Sequence, residues 1–277
     1  MLRAKPFVSV IISTKNEEKH IRNCLISVKK QRYPQDKLEI IVVDNFSSDK
    51  TREIAGEFTP LVYERGQERS EQRNFGVERC QGEYFIFLDA DMTLDPGVIE
   101  ECVKKISGDG IVALYIPEII TGGSFFSKVR RFERKFYDGT AIDGVRFMRK
   151  DKFWEAGGFD ERMYACEDWD LTKRIGKIGK TDIIKSALSH NEEEFCLKKY
   201  LEKKSYYSKN MNVYVKKWGK TDLDVKKQFG IRYRFFGVFI ENGKWRRLIV
   251  HPFLAAGMYF LKFLTGINYL KTRLTDG

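Results

Sequence analysis

Cysteine is sparse in this chain and poorly placed for pairing. There are five residues, Cys24, Cys80, Cys102, Cys166 and Cys196, odd in number and scattered, with no Cys-x-x-Cys. This argues against a disulfide framework or a zinc knuckle and favours a reducing compartment. The Gly-x-Gly-x-x-Gly and Gly-x-x-x-x-Gly-Lys-Ser/Thr phosphate loops are also missing, which disfavours a Rossmann dehydrogenase and a P-loop enzyme. The opening MLRAKPFVSVIIS holds only a short apolar run that reads into a strand, so no signal peptide is expected. No internal repeat or low-complexity linker is found.

Apolar material is plentiful. Hydrophobic residues make up 42% of the 277, and aromatics 14%, enough for a full core and too much for intrinsic disorder. The net charge of +11 is concentrated in one place. Between Lys198 and Arg247 fifteen Lys and Arg face four Asp and Glu, and the rest of the chain is balanced. The same stretch carries eleven aromatics, among them Tyr206, Tyr207, Trp218, Phe235, Phe236 and Trp245. Basic and aromatic residues together suit an anionic membrane surface or a nucleic acid, or form a solvated basic face. No recognised nucleic-acid motif supports the second. Residues 248–270 approach the length of a membrane span, but His251, Pro252, Lys262 and Asn268 interrupt them. An interfacial helix is expected before a packed one, and a packed one before a crossing.

Hydrophobic periodicity orders the first 195 residues as alternating strands and helices. Continuous β-branched or apolar runs over Phe7–Ser13, Leu38–Val43, Leu61–Tyr63, Tyr84–Leu88 and Ile111–Ile116 predict buried strands. Between them, helical spacing appears after Asn16 (Ile21, Cys24, Leu25, Val28), after the Asn45–Asp49 turn, and over Glu71–Cys80. Thr14 with Glu17 reads as a capping box, and Asp95-Pro96 as a helix start. A basic amphipathic helix is expected through Phe125, Val129, Phe132 and Phe136, a helix from Glu167, a strand over Ile183–Leu188 ending near His190, and helix from Glu192 to Lys217. This alternation implies βαβ units and a mostly parallel sheet, in which ligands bind beyond the carboxyl ends of the strands.

Polar residues sit at those ends. Asp89 and Asp91 flank Ala90 after an apolar strand, and two hard oxygen ligands so close invite a divalent cation such as Mg2+ or Mn2+ with substrate phosphates on its open positions. Asp44 ends another strand, where a carboxylate can accept from a nucleobase N–H. Arg73 can reach a base carbonyl or a phosphate. Asp168 and Asp170 open a helix, as dipole-complementing residues or as a base. His190 follows a strand and is either a metal or diphosphate contact or a satisfied structural histidine.

The stretches VSVIISTKNEE, VVDNFSSDKT, QRNFGVERCQGEYFIFLDAD and GGFDERMYACEDWDL, in that order from about Val8 to His190, resemble the successive motifs of family 2 glycosyltransferases of the GT-A fold. The resemblance implies an inverting, metal-dependent enzyme that moves a sugar from a nucleoside diphosphate (UDP, GDP or dTDP) to an acceptor hydroxyl. It puts Thr14, Asn16, Glu17, Asp44, Arg73, Asp89 and Ala90 around the nucleotide, Asp91 and His190 on the metal, Asp168 as catalytic base, and Glu167 and Trp169 on the acceptor side. Ser13 and Lys15 stand where a proline and an aromatic are frequent in the family. The Gln-x-x-Arg-Trp motif of processive members is absent, so a single addition is expected.

The expected organisation is α/β: a GT-A domain over residues 1–195, with a Rossmann-like mostly parallel sheet, a nucleotide-binding half to about 92 and an acceptor half over 93–195. A helical basic and aromatic extension follows over 196–277. The acceptor is expected to be a glycan or lipid-linked molecule reached peripherally at the cytoplasmic face of an anionic membrane. The competing expectations are an inactive nucleotide-sugar binding protein of this fold and, further off, a nucleic-acid-binding protein.

Overall fold

The computed structural model describes residues 5–192 and 195–275, so Glu193 and Glu194, read from sequence as part of a helical first turn, lie outside the described residues. The chain divides into two compact units. One comprises Met1–Glu118, Gly144–Glu161 and Glu167–Asn191, the other Ile119–Asp143, Arg162–Cys166 and Glu192–Gly277. Residues 119–143 and 162–166, which the sequence groups with the body ending at 195, thus fall with the C-terminal region.

The first unit is built on β1 (Val8–Thr14), β2 (Leu38–Asp44), β3 (Val62–Glu64), β4 (Tyr84–Asp89), β6 (Ile111–Tyr115), β8 (Phe147–Arg149) and β9 (Lys180–Ile183), ordered β3-β2-β1-β4-β8-β6-β9. The first four run parallel, β8 is antiparallel to both β4 and β6, and β9 is parallel to β6. β5 (Met92–Leu94) pairs antiparallel with β10 (Leu188–His190) beside this sheet, and β7 (Glu118–Ile120) lies where the chain leaves the unit. Continuous apolar runs form the central strands because both faces of the sheet are covered. Side-chain alternation divides β1 between two cores. Val8, Val10 and Ile12 join Ile21, Leu25 and Val28 on one face, while Ile11 joins Ile41, Phe85, Phe87 and Phe153 on the other.

The helices of this unit are α1 (Ile21–Lys29), α2 (Thr51–Gly56), α3 (Arg69–Arg79), α4 (Val98–Ile106), α6 (Lys150–Glu155) and α7 (Glu167–Ile178); α5 (Phe125–Arg134) belongs to the second unit. Three local expectations need correction. Thr14 ends β1 and caps nothing; α1 starts seven residues later, after His20, without a side-chain cap. α4 starts after Gly97, so Pro96 precedes the helix rather than opening it, and the Asp95 carboxylate accepts from Ala187 N. The single strand expected over Ile183–Leu188 is two, β9 and β10. The chain turns between them at Lys185 and Ser186, whose N–H groups donate to the Glu101 carboxylate at 2.7 and 2.8 Å.

The second unit is helical: α5, α8 (Leu197–Asn210), α9 (Asn212–Trp218), α10 (Leu223–Phe229), α11 (Val238–Ile240), α12 (Trp245–Val250) and α13 (Pro252–Thr275). Residues 248–270 form the end of α12 and most of α13, and one face of α13 is packed. Ala255, Met258, Leu261 and Lys262 are buried, and Gly257 allows close approach, since a Cβ there would lie 2.7 Å from Val129 of α5. Phe253 and Phe263, with Ile249 and Val250 of α12, stay exposed, Phe253 at 82%. Among the described residues no helix is long and apolar enough to cross a membrane.

Inside this unit Glu133 is buried among cations. It accepts from Arg130 at 2.8 Å and pairs with Lys262 at 3.1 Å, and the Tyr137 hydroxyl donates to it. Burial raises the cost of its charge, but Lys262 and Arg130 outweigh that and hold its carboxyl well below the usual range.

α3 packs on β1 at Gly76, where a Cβ would come within 2.4 Å of Ile11 Cγ2. Gly76→Ala is therefore expected to lower stability by about 1–3 kcal/mol through overpacking, read from the urea midpoint. An unchanged midpoint would contradict so close an approach.

Candidate functional site

Register brings the strand ends together. Thr14 lies opposite Asp44 across β1–β2, and Ser13 opposite Asp89 across β1–β4. Past these ends two loops are sewn to one another. Asn16 N donates to Ser47 Oγ at 2.7 Å, Ser48 N to Asn16 Oδ1 at 2.9 Å, and Glu17 N to Thr51 Oγ1 at 2.7 Å. Asn16 and Phe46 both take left-handed backbone, φ +53° and +51°. For phenylalanine this is an uncommon conformation, and its ring is 62% exposed.

Asp44 is fully buried and accepts from Ser47 N at 2.6 Å and Ser47 Oγ at 2.5 Å. It organises the second loop from beneath. Thr14 is buried beside it, with its hydroxyl lacking a hydrogen-bond partner. Glu17 lies 2.8 Å from His20 Nδ1. Burial raises its pKa against that hydrogen bond, and the Asp91 and Asp89 charges add to the rise.

Arg73 joins the two halves of the sequence motif set. It rises from α3 fully buried, with its guanidinium over the rings of Phe87 and Phe159 at 5.5 and 5.4 Å. Nη2 donates to Asp89 Oδ1 at 2.9 Å and Nη1 to Asp168 Oδ1 at 2.8 Å. Arg69, one turn earlier, lies 3.3 Å from Glu167 Oε1 and 3.9 Å from Asp89 Oδ2. Burial alone would raise the Asp89 pKa, but the Arg73 and Arg69 charges reverse this and hold it well below the usual carboxylate range. Glu167 is pushed up, first by burial and then by Asp168. Asp168 is the open member of the group, its side chain 40% exposed at the start of α7. Gly144 makes room for it, since a Cβ there would stand 2.9 Å from Asp168 Cβ. Trp169, next along α7, is half-buried.

On the other side of Ala90, which is itself buried, Asp91 meets His190. The antiparallel β5–β10 pair sets His190 opposite Met92, and His190 Nε2 lies 3.1 Å from Asp91 Oδ2. Nδ1 lies 2.8 Å from Glu118 Oε1, and Arg146 pairs with Glu118 at 3.1 Å. Burial disfavours a charged imidazole, yet the hydrogen bonds to Asp91 and Glu118 outweigh it and raise its pKa to about 10.

Asp91 Oδ1 is buried with no hydrogen-bond partner, an orphaned hard oxygen beside an imidazole. The Asp91 oxygen suits a divalent cation that keeps open positions for phosphate, and His190 would join it as a ligand only by releasing a proton and its hydrogen bond to Asp91. Among the described residues no three His, Cys, Asp or Glu side chains form a metal cage, so a cation here would depend on its substrate for the remaining ligands. Glu118 and Arg69 were not singled out from sequence. The available signal was Glu118 itself, a lone carboxylate in the apolar run IVALYIPEII, because a buried charge demands a partner.

Removing Arg73 leaves Asp89, Asp168 and Glu167 facing one another without their buried cation. Arg73→Met is expected to cost about 3 kcal/mol, the low end for breaking a buried pair because Asp168 is partly hydrated. Chemical denaturation measures it, and a loss under ~0.5 kcal/mol would contradict the bridging role.

Comparison with known proteins gives the family and the fold. The model for glycosyl transferase family 2 matches residues 9–174. The glycosyltransferase AglE of Haloferax volcanii is 40% identical over 195 residues, covering 65% of this chain and 64% of AglE. An uncharacterised glycosyltransferase of Methanocaldococcus jannaschii is 27% identical over 98% of this chain and 97% of its own. Among solved structures, the mannosyltransferase PcManGT of Pyrobaculum calidifontis, in complex with GDP-Man and Mn2+, superposes with a TM-score of 0.65 at 18% identity, covering 99% of this chain and 87% of that one. Residues 1–349 of S. aureus TarS with UDP-GlcNAc superpose at 0.58 and 17%, covering 98% and 91%. The chain spans just under two thirds of the length of AglE; it belongs to glycosyl transferase family 2 and adopts the GT-A fold.

Proposed function

We propose that this enzyme transfers a single sugar, with inversion and with a divalent metal, from a nucleoside-diphosphate sugar to an acceptor hydroxyl. The observation that carries the reading is Arg73, which ties the open carboxylate of Asp168 to the strand end bearing Asp89 and Asp91. Thr14, Asn16, Glu17 and Asp44 form the nucleotide side, Asp89 and Ala90 border it, and Glu167 and Trp169 flank the acceptor side. Asp91 and His190 would hold Mg2+ or Mn2+, which when bound offsets charge on the departing diphosphate. The donors named in the related complexes, GDP-Man and UDP-GlcNAc, support a UDP or GDP sugar; dTDP fits the same chemistry.

Asp168 accepts the proton of the attacking hydroxyl as the bond from that oxygen to the anomeric carbon forms and the bond to the diphosphate oxygen breaks. One base on the face opposite the leaving group yields inversion in one displacement. Arg73 engages only Oδ1 of Asp168, so Oδ2 remains to take the proton. Asp168→Asn is expected to lower kcat by about 10²–10⁴ while keeping donor-induced thermal stabilisation, and Asp91→Asn to lose the Mn2+-dependent part of that stabilisation. A screen of sugar nucleotides with and without Mn2+ identifies the donor. Unchanged turnover in Asp168→Asn would refute the assignment of the base.

The acceptor in this reading is a lipid-linked or membrane-proximal glycan, met at the cytoplasmic face of a membrane. Ile249 and Val250, exposed, follow Arg246 and Arg247 along α12, and Phe253 and Phe263 are exposed on α13; apolar and cationic groups together are what anionic interfaces attract. Co-sedimentation with phosphatidylglycerol vesicles at low salt, weakened in Phe253→Ser, is expected. Equal recovery with and without vesicles would end the membrane reading.

A further inference from the structure

The cations around Glu133 outnumber the carboxylates that face them. Arg130 on α5 contacts both Glu133 and, at 3.4 Å, Glu192, while Lys262 on α13 takes the other Glu133 oxygen. Two further cations complete the cluster, with no carboxylate at ion-pair distance among the described residues. Lys204 on α8 stands over the Tyr200 ring at 5.5 Å, on which the Arg130 guanidinium also lies at 5.1 Å. Arg234 stands over the Tyr137 ring at 5.8 Å, which it shares with Lys262. Among the described residues, four positive groups thus meet two negative ones. The Arg130 Nε is buried with no hydrogen-bond partner, so a donor as well as charge is left over.

An excess of this kind is costly inside a protein. Burial and the neighbouring Arg130 charge press Lys204 down to about 7, and unpaired buried donors are rare unless something accepts from them. Lys204 and Arg234 are only partly buried as residues, so access to the cluster from solvent would come on their side. Tyrosine rings under both cations keep the side chains in place without neutralising them.

We propose that the cluster of Arg130, Lys204 and Arg234 is a phosphate-binding site, made of residues other than the donor-diphosphate ones, that takes the phosphate group of a phosphorylated molecule. A phosphate monoester carries about two negative charges and several acceptor oxygens near neutral pH, which matches two surplus cations and a spare N–H. Guanidinium and ammonium donors suit it. Two sources offer this chemistry: free phosphates in solution, and phosphorylated amphiphiles of the kind a membrane-proximal acceptor would be. The site itself does not rest on the acceptor reading above; its assignment to the second source does.

The test follows thermal stability of the full chain at pH 6.5 and constant ionic strength, with sodium chloride as reference. The probes are inorganic phosphate and monododecyl phosphate below its micelle concentration. Each is expected to raise the melting temperature beyond chloride. A larger effect of the alkyl phosphate assigns the site to an amphiphile, and equal effects assign it to soluble phosphate. Lys204→Met and Arg234→Met are each expected to weaken the response about tenfold in midpoint concentration, as for loss of one charged hydrogen bond, while Lys204→Arg keeps it. Lys204→Met removes a charge without a counter-ion and so is expected to fold at least as stably as the parent. Asp91→Asn should retain the phosphate response while losing the metal-dependent donor effect, which separates failure of this site from failure of the donor reading. The proposal is overturned if phosphate acts no more strongly than chloride, or if the response survives intact in both methionine variants.

Discussion

A single guanidinium holds together residues that are far apart in the sequence. Arg73 stands on two phenylalanine rings and divides its donors between Asp89, at the end of a central strand, and Asp168, at the first turn of α7. Without it, Asp89, Glu167 and Asp168 would repel one another in a partly dehydrated space, and some would protonate rather than remain carboxylates. Burying an arginine is expensive unless every charge it faces is well placed. Here the geometry is set by rigid elements: α3 against β1 through Gly76, β4 within the sheet, and the room that Gly144 leaves for Asp168. Core packing and site electrostatics are therefore parts of one arrangement.

Much of this was legible in the chain. Seven-residue apolar runs such as VSVIIST and LEIIVVD have few options other than a sheet covered on both faces, and the rule that parallel sheets gather ligands at their carboxyl ends put Thr14, Asp44 and Asp89 on one edge. Other features depend on tertiary contacts that no local pattern carries. The start of α1 is set by the left-handed turn at Asn16 and by bonds to Ser47 and Thr51, not by a capping side chain. Glu118 reaches His190 across 72 positions, and the break between β9 and β10 depends on Glu101, 84 residues before it. Asp44 and Arg73 were recognisable as functional types, but which groups they touch depends on the direction each side chain leaves its element. Spacing alone does not give that direction.

The two units handle buried charge differently. Around Arg73 cations and carboxylates alternate closely, and Asp168 remains open to solvent. Around Glu133 the balance among the described residues is positive, and aromatic faces lie against the cations. The proposed proton and metal chemistry rests on the first arrangement, and the proposed reception of an anion on the second.

The sewn loops after β1 and β2 carry a further consequence. Because Asn16, Glu17, Ser47, Ser48 and Thr51 already spend their polar groups on one another, the entropic cost of fixing this rim is met when the chain folds. In the proposed function, a guest arriving there would find a preorganised wall, and narrow tolerance for misshapen guests would come from that set of bonds.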